Sequence, residues 1–307
     1  MHTIHPAKLA ESLGKGEALQ LICTLPAEFF QQLRIAGSGN ACVYQVSFLE
    51  QVRATVADKT APIVLYGSGP DSRDAEVAAG KLQQAGYGNV RVLEGGIEAW
   101  RVAGLPLEGE AAAGHPDPAT LLLLPPGSYD LDGERSSIGW IGRNAGTSHT
   151  GSVRCSAGTV LADATGFSGS LTVDMTSIDN HNLAGDPLQA VLLDHLRSDD
   201  FFLVRLFPRA DFTIRRGQLR EKPFVTAVNC DISGELTLRG NSRPLAFPAT
   251  VAVDGGELLL EAHFDLDRTD WGIVYGSARF FEHLGMHKVF DTVSIALRLV
   301  FTGWRQH

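Results

Sequence analysis

The stretch Ile63-Val64-Leu65-Tyr66-Gly67-Ser68-Gly69-Pro70-Asp71-Ser72-Arg73 opens with four apolar residues and breaks into a run of turn formers. It reads as a strand buried on both faces, a tight loop and the start of a helix. Beyond it, Ala75, Ala78, Ala79 and Leu82 recur at spacings of three and four, the pattern of one helical face. Leu19 to Cys23 and Val90 to Leu93 are further strand-like runs on either side. Strands alternating with helices predict a small parallel α/β sheet for the first part of the chain.

Downstream stand Gly86-Tyr87, Asn89-Val90, Leu93, Gly95-Gly96-Ile97, Ala99-Trp100 and Ala103-Gly104-Leu105-Pro106. Together with the Ile63 to Arg73 stretch, this series resembles the second half of a rhodanese domain, and residues 1–110 are assigned to it. The resemblance implies a persulfide-forming cysteine at the head of the loop, its anion held by backbone N–H groups and the following helix N-terminus. That position is Gly67. The loop Gly67, Ser68, Gly69, Pro70, Asp71, Ser72 and Arg73 is therefore read as degenerate, with no catalytic residue assigned. Cys23-Thr24-Leu25 stands where the family's supporting Asp and Arg are expected, and a serine hydroxyl cannot accept and release sulfane sulfur. The domain is expected to serve in interaction or regulation, with a protein partner. A sulfurtransferase or redox protein using a displaced Cys42 or Cys23 is the alternative.

With 307 residues there is room for two domains, each with its own core. The net charge of −9 is shared, residues 1–110 carrying 9 basic and 12 acidic side chains and the remainder 17 and 23, so neither part offers a basic face for nucleic acid. The beginning, Met1 to Lys8, lacks the pattern of a secretory signal, and the leucine run Leu121 to Leu124 is far short of the ~20 residues a membrane span needs. A cytoplasmic location without a membrane span is expected. Cys23, Cys42, Cys155 and Cys230 form no CxxC pair and read as buried reduced thiols. Residues 111–127, rich in Gly, Ala and Pro, are expected to be a linker.

After Tyr129 the period changes to two. Leu171, Val173 and Met175 alternate with polar residues, as do Ala210, Phe212 and Ile214, then Leu258 to Leu266, and finally Val293 to Phe301. Many strands with one apolar face and no long crossover predict an antiparallel barrel or sandwich over residues 128–307. One helix interrupts them. Asp186 is a good cap, Pro187 suits the first turn, and Leu188, Val191, Leu192, His195 and Leu196 fall on one face before Ser198.

The blocks Trp140-Ile141-Gly142-Arg143-Asn144, His149-Thr150-Gly151, His195 to Phe202, Gly234 to Gly240 and Asp267-Arg268-Thr269-Asp270-Trp271-Gly272-Ile273 follow one another in the order of the YceI-like family, which this half resembles. The resemblance implies a lipocalin-like β-barrel, the helix covering its mouth, that holds an isoprenoid lipid such as a polyprenyl phosphate or a quinone tail. No other cofactor is required. Candidate lipid contacts are Leu192, Leu196, Phe201, Phe202, Phe207, Phe212, Phe264, Trp271, Phe280 and Phe281. Candidate head-group contacts are Arg143, Asn144, His149 and His195. His283 and His287 have Gly285 between them and no third ligand at a recognisable spacing, so no metal is assigned. A scaffold whose barrel is filled by its own side chains remains the third reading. Oligomeric state is left open.

Overall fold

In the computed structural model, residues 2–109 and 121–303 are described. The chain divides into two compact units, residues 1–117 and 118–307. Most of the expected linker lies outside the described residues.

The first unit is built from β1 (His2–Ile4), α1 (Pro6–Gly14), β2 (Gln20–Cys23), α2 (Ala27–Gln32), β3 (Arg34–Ile35), β4 (Gly39–Asn40), α3 (Phe48–Thr55), β5 (Ile63–Tyr66), α4 (Asp74–Gln84), β6 (Val90–Leu93), α5 (Gly96–Val102) and β7 (Leu107–Glu108). Five strands pair in parallel in the order β1-β6-β5-β2-β4, and β3 pairs with β7 on its own. Every residue of the central β5 is buried, as an unbroken apolar run between two helical layers requires. One layer packs Ala75, Ala78, Ala79 and Leu82 of α4 with Phe48 and Val52 of α3. The other packs Leu9 of α1 with Ile97 and Trp100 of α5.

The second unit is the antiparallel barrel. Its elements are β8 (Gly127–Leu131), β9 (Ser137–Arg143), β10 (Ser148–Asp163), β11 (Gly166–Asn180), α6 (Leu188–Arg197), β12 (Arg209–Leu219), β13 (Cys230–Leu238), β14 (Asn241–Asp254), β15 (Glu257–Asp267) and β16 (Thr292–Gly303). Neighbours pair in sequence from β10 to β16. Both β8 and β9 pair with β10 on one side and β16 on the other, so together they make one interrupted strand that closes an eight-position ring. At the interruption the seam is held by Asp132 N–H donating to the Val300 carbonyl and by the Ser136 hydroxyl accepting from Val300 N–H at 3.0 Å.

Register divides the barrel into two ends. Toward one end, Val160, Phe167, Ile214, Ile232, Val251, Leu258 and Phe301 are buried in the interior, each at most 2% exposed. Leu122 and Leu124, near the end of the expected linker, add to this core, and Leu122 N–H donates to the Pro223 carbonyl. The segment from residue 121 therefore belongs to the barrel, because its leucines have an apolar surface to cover. Toward the other end stands α6. The helix begins at Leu188 with Pro187 at the cap position, one residue later than expected, and Asp186 accepts from Leu188 N–H at 2.8 Å from just before it. Leu192 and Leu196 face the core, but Leu188 and Val191 are mostly exposed, so the expected single apolar face is divided between core and surface.

Candidate functional site

Under α6 the barrel is hollow. A cavity of about 200 Å³ is bounded by Ile138, Trp140 and Gly142 of β9, by Leu171, Val173, Met175 and Ile178 of β11, by inward residues of β12 to β16, and by Leu196, Phe201 and Phe202. Its walls are apolar because inward positions alternate with solvent-facing ones along each strand. Phe247 stacks on Phe264 with ring centroids 4.2 Å apart, and Phe212 lies 5.8 Å from Phe247, giving an aromatic wall. The Trp140 indole lies over Gly151, where a Cβ would collide with the ring. Its Nε1 is buried without a hydrogen-bond partner among the described residues.

Arg268 is the charged residue of the lining. Its buried guanidinium donates from Nε to the Phe290 carbonyl, from Nη1 to that of Ile273 and from Nη2 to that of Val289. Asp291 lies 3.6 Å from Nη2, and the group sits 5.9 Å from the Phe201 ring centroid. Burial pushes the Arg268 pKa down from its usual value, against the opposing fields of Asp291 and Asp267. Arg268 thus binds two stretches of the mouth loop to the barrel, its fork matched to three carbonyls.

Of the sequence-based lipid candidates, Leu196, Phe201, Phe202, Phe212 and Phe264 line this cavity, and Leu192 packs against the core beside it. The other four do not line it. Phe207 packs against Gly240, Trp271 is buried with its N–H on the Leu236 carbonyl, and Phe280 and Phe281 are about half exposed. The proposed head-group residues are not gathered around the cavity either. Arg143 points outward, as the residue after inward Gly142 must, and donates to Ser294 Oγ at 2.8 Å, which in turn donates to Asp265. Asn144 accepts from the N–H groups of Gly146 and Thr147, shaping the β9–β10 turn. His149 Nδ1 lies 3.4 Å from the Asn182 amide. His195, on α6, has Nε2 3.0 Å from Asp200 Oδ2 and its ring edge-on to Phe201 and Tyr275. Among the described residues no group of three His, Cys, Asp or Glu side chains is disposed to hold a metal.

In the first unit, the loop after β5 encloses a carboxylate. Asp74, at the start of α4, is buried; its Oδ2 accepts from Ser68 N–H at 3.4 Å, from Ser68 Oγ at 3.2 Å and from Ser72 Oγ, while its Oδ1 accepts from the Tyr44 hydroxyl. Burial, then the hydrogen bond to Asp74, raises the Tyr44 pKa to about 12. A Cβ built on Gly67 would stand 2.9 Å from Asp74 Cβ and 3.0 Å from its Oδ2. Pro70, Asp71 and Arg73 are exposed, with Arg73 3.5 Å from Glu76. All four cysteines are buried and unpaired, and burial pushes the Cys23 thiol up to about 11.

A YceI-like domain model matches residues 129–301 and a rhodanese-like domain model matches residues 5–103. Among solved structures, Burkholderia cenocepacia BcnA is 21% identical, over 55% of this chain and 98% of its own, with a TM-score of 0.45. A polyisoprenoid binding domain from Saccharophagus degradans is 16% identical, over 57% of this chain and 98% of its own, with a TM-score of 0.41. The rhodanese-like domain of an Anabaena protein is 23% identical, over 40% of this chain and 91% of its own, with a TM-score of 0.34. No curated protein gives a significant match. Since the barrel model covers more than half of the chain, this protein belongs to the YceI-like family and carries a rhodanese-like domain ahead of its barrel.

Proposed function

We propose that the barrel binds an apolar isoprenoid lipid, of the polyprenyl phosphate or quinone type, and that the rhodanese-like domain is a pseudoenzyme used for contact or regulation. The observation that carries the first reading is the apolar cavity beneath α6, lined by residues from every side of the barrel. A barrel filled by its own side chains would lack it. Each five-carbon isoprene unit that enters contributes up to about 4 kcal/mol, so two units approach the ~8 kcal/mol of micromolar binding before ordering costs are subtracted. Such a wall selects by length and flexibility, not by polar pattern.

Organic extraction of the purified chain followed by mass spectrometry is expected to release an isoprenoid lipid, and a short-chain quinone or polyprenyl phosphate is expected to bind saturably. Phe202→Asp puts a charge into the lining and is expected to weaken that binding at least ~10-fold while leaving the first unit folded. A folded barrel with neither extracted lipid nor saturable binding would refute the reading.

The pseudoenzyme reading is supported by Asp74, which takes up the loop's donors, and by the burial of the thiols. At pH 8 the native chain is expected to react slowly with a disulfide reagent, and fully only in denaturant, because all four cysteines are buried and Cys23 and Cys155, at about 11, and Cys230, at about 12, also stay protonated. A fast-reacting thiol lost in Cys42→Ala or Cys23→Ala would favour a displaced sulfur site instead.

A further inference from the structure

The mouth loop displays apolar side chains on its surface. Met286 is 95% exposed, and Phe280, Phe281 and Phe290 are each about half exposed. Phe290 also lines the cavity, so this half-exposed ring connects the loop surface to the interior. The loop is firmly folded beneath these residues. Val289 N–H donates to the Gly276 carbonyl, the N–H groups of Phe280 and Phe281 both donate to the Ser277 carbonyl, and Arg268 holds residues 289 and 290 from below. On the neighbouring helix, whose His195 meets Tyr275 just ahead of this loop at 4.7 Å between ring centroids, Leu188 and Val191 are exposed as well.

We propose that this loop, residues 276–290, is a docking surface for a lipid bilayer, through which the apolar ligand passes into the barrel. The inference rests on the carrier reading above. A long alkenyl chain has no favourable path through water, so its entrance must meet a lipid phase. Aromatic and methionine side chains around that entrance are suited to the headgroup boundary, where exposed apolar surface is relieved. Charge points the same way. The chain as a whole is at −9, but between residues 279 and 288 Arg279 and Lys288 outnumber Glu282, and Arg279 is held 2.7 Å from Asp267. The loop therefore brings no net negative charge to an anionic lipid surface, and the apolar contact dominates.

The test uses the full chain, freed of bound lipid, floated with phosphatidylcholine vesicles with and without phosphatidylglycerol. Binding of a water-soluble short-chain quinone is measured in parallel. The wild type is expected to float with both vesicle types, and the double variant Phe280→Ser, Phe281→Ser to partition about 10-fold less while still binding the quinone. Both side chains are about half exposed and neither lines the cavity, and quinone binding by the double variant reports that its barrel is folded. No flotation of the wild type, or equal flotation of the double variant, overturns the docking surface. A solution dimer that the double variant abolishes also overturns it, since a second copy would then cover the patch. Quinone binding without flotation defeats docking alone, whereas flotation without quinone binding defeats the carrier reading and leaves docking standing.

Discussion

A cysteine placed at position 67 is expected to have a thiol pKa above the ~8.5 of a free cysteine, with no sulfurtransferase activity. The rhodanese resemblance alone suggests the opposite, because a ring of N–H groups lowers a thiol pKa. The difference is Asp74. Its carboxylate already accepts from Ser68 and Ser72, and it lies within 3.0 Å of where the new Cβ would be. A thiolate there would meet a like charge at contact distance and find its donors engaged, and both effects favour the neutral thiol. Adding Asp74→Gly removes the charge and the steric conflict together, and the pKa is expected to fall below ~7.5. Ultraviolet thiolate absorbance against pH, taken as the difference from the wild type, reads both variants, with Cys23, Cys155 and Cys230 ionising only at about 11 to 12. A lowered pKa in Gly67→Cys alone would show that Asp74 does not fill the loop.

Arg268→Ala is expected to cost the barrel about 3 kcal/mol, lowering its thermal midpoint by roughly 10 °C. The substitution leaves the carbonyls of Ile273, Val289 and Phe290 without their donor and Asp291 without its counter-charge. Arg268→Lys is expected to recover little, because an ammonium group cannot serve three carbonyls that a planar fork reaches together. Lipid retention falls with stability in both variants, since the freed stretch includes Val289 and Phe290 of the cavity wall. An unchanged melting curve for Arg268→Ala would mean that the mouth is held by other contacts.

Alternation made the barrel legible. The rows Leu171 to Met175, Leu258 to Leu266 and Val293 to Phe301 lie on the inner face as read, and a strict parity count from Trp140 would have sent Arg143 outward. Phe247 was harder to see, because Pro244 and Pro248 interrupt the apolar rhythm of β14. Arg268 was hidden for another reason. Asp-Arg-Thr-Asp reads as an exposed turn, and only the fold of the loop above it creates three carbonyls for a buried guanidinium. Exposure of Leu188 and Val191 was illegible too, since helical spacing marks an apolar face without saying what covers it. In the first unit the strand and helix pattern around Ile63 to Arg73 announced the sheet, whereas the contact between Asp74 and Gly67 belongs to three-dimensional packing.

The interrupted seam strand has a consequence for how the chain is made. Ser136 finds Val300 across 164 residues, and although β8 and β9 can pair with β10 as soon as it is made, their other edge must wait for β16. As the polypeptide leaves the ribosome, the first unit, whose sheet uses only residues before 94, can complete itself early, while the strands that follow remain an open sheet with unpaired margins. Closure of the ring is then the late and slow step, governed by the meeting of distant segments.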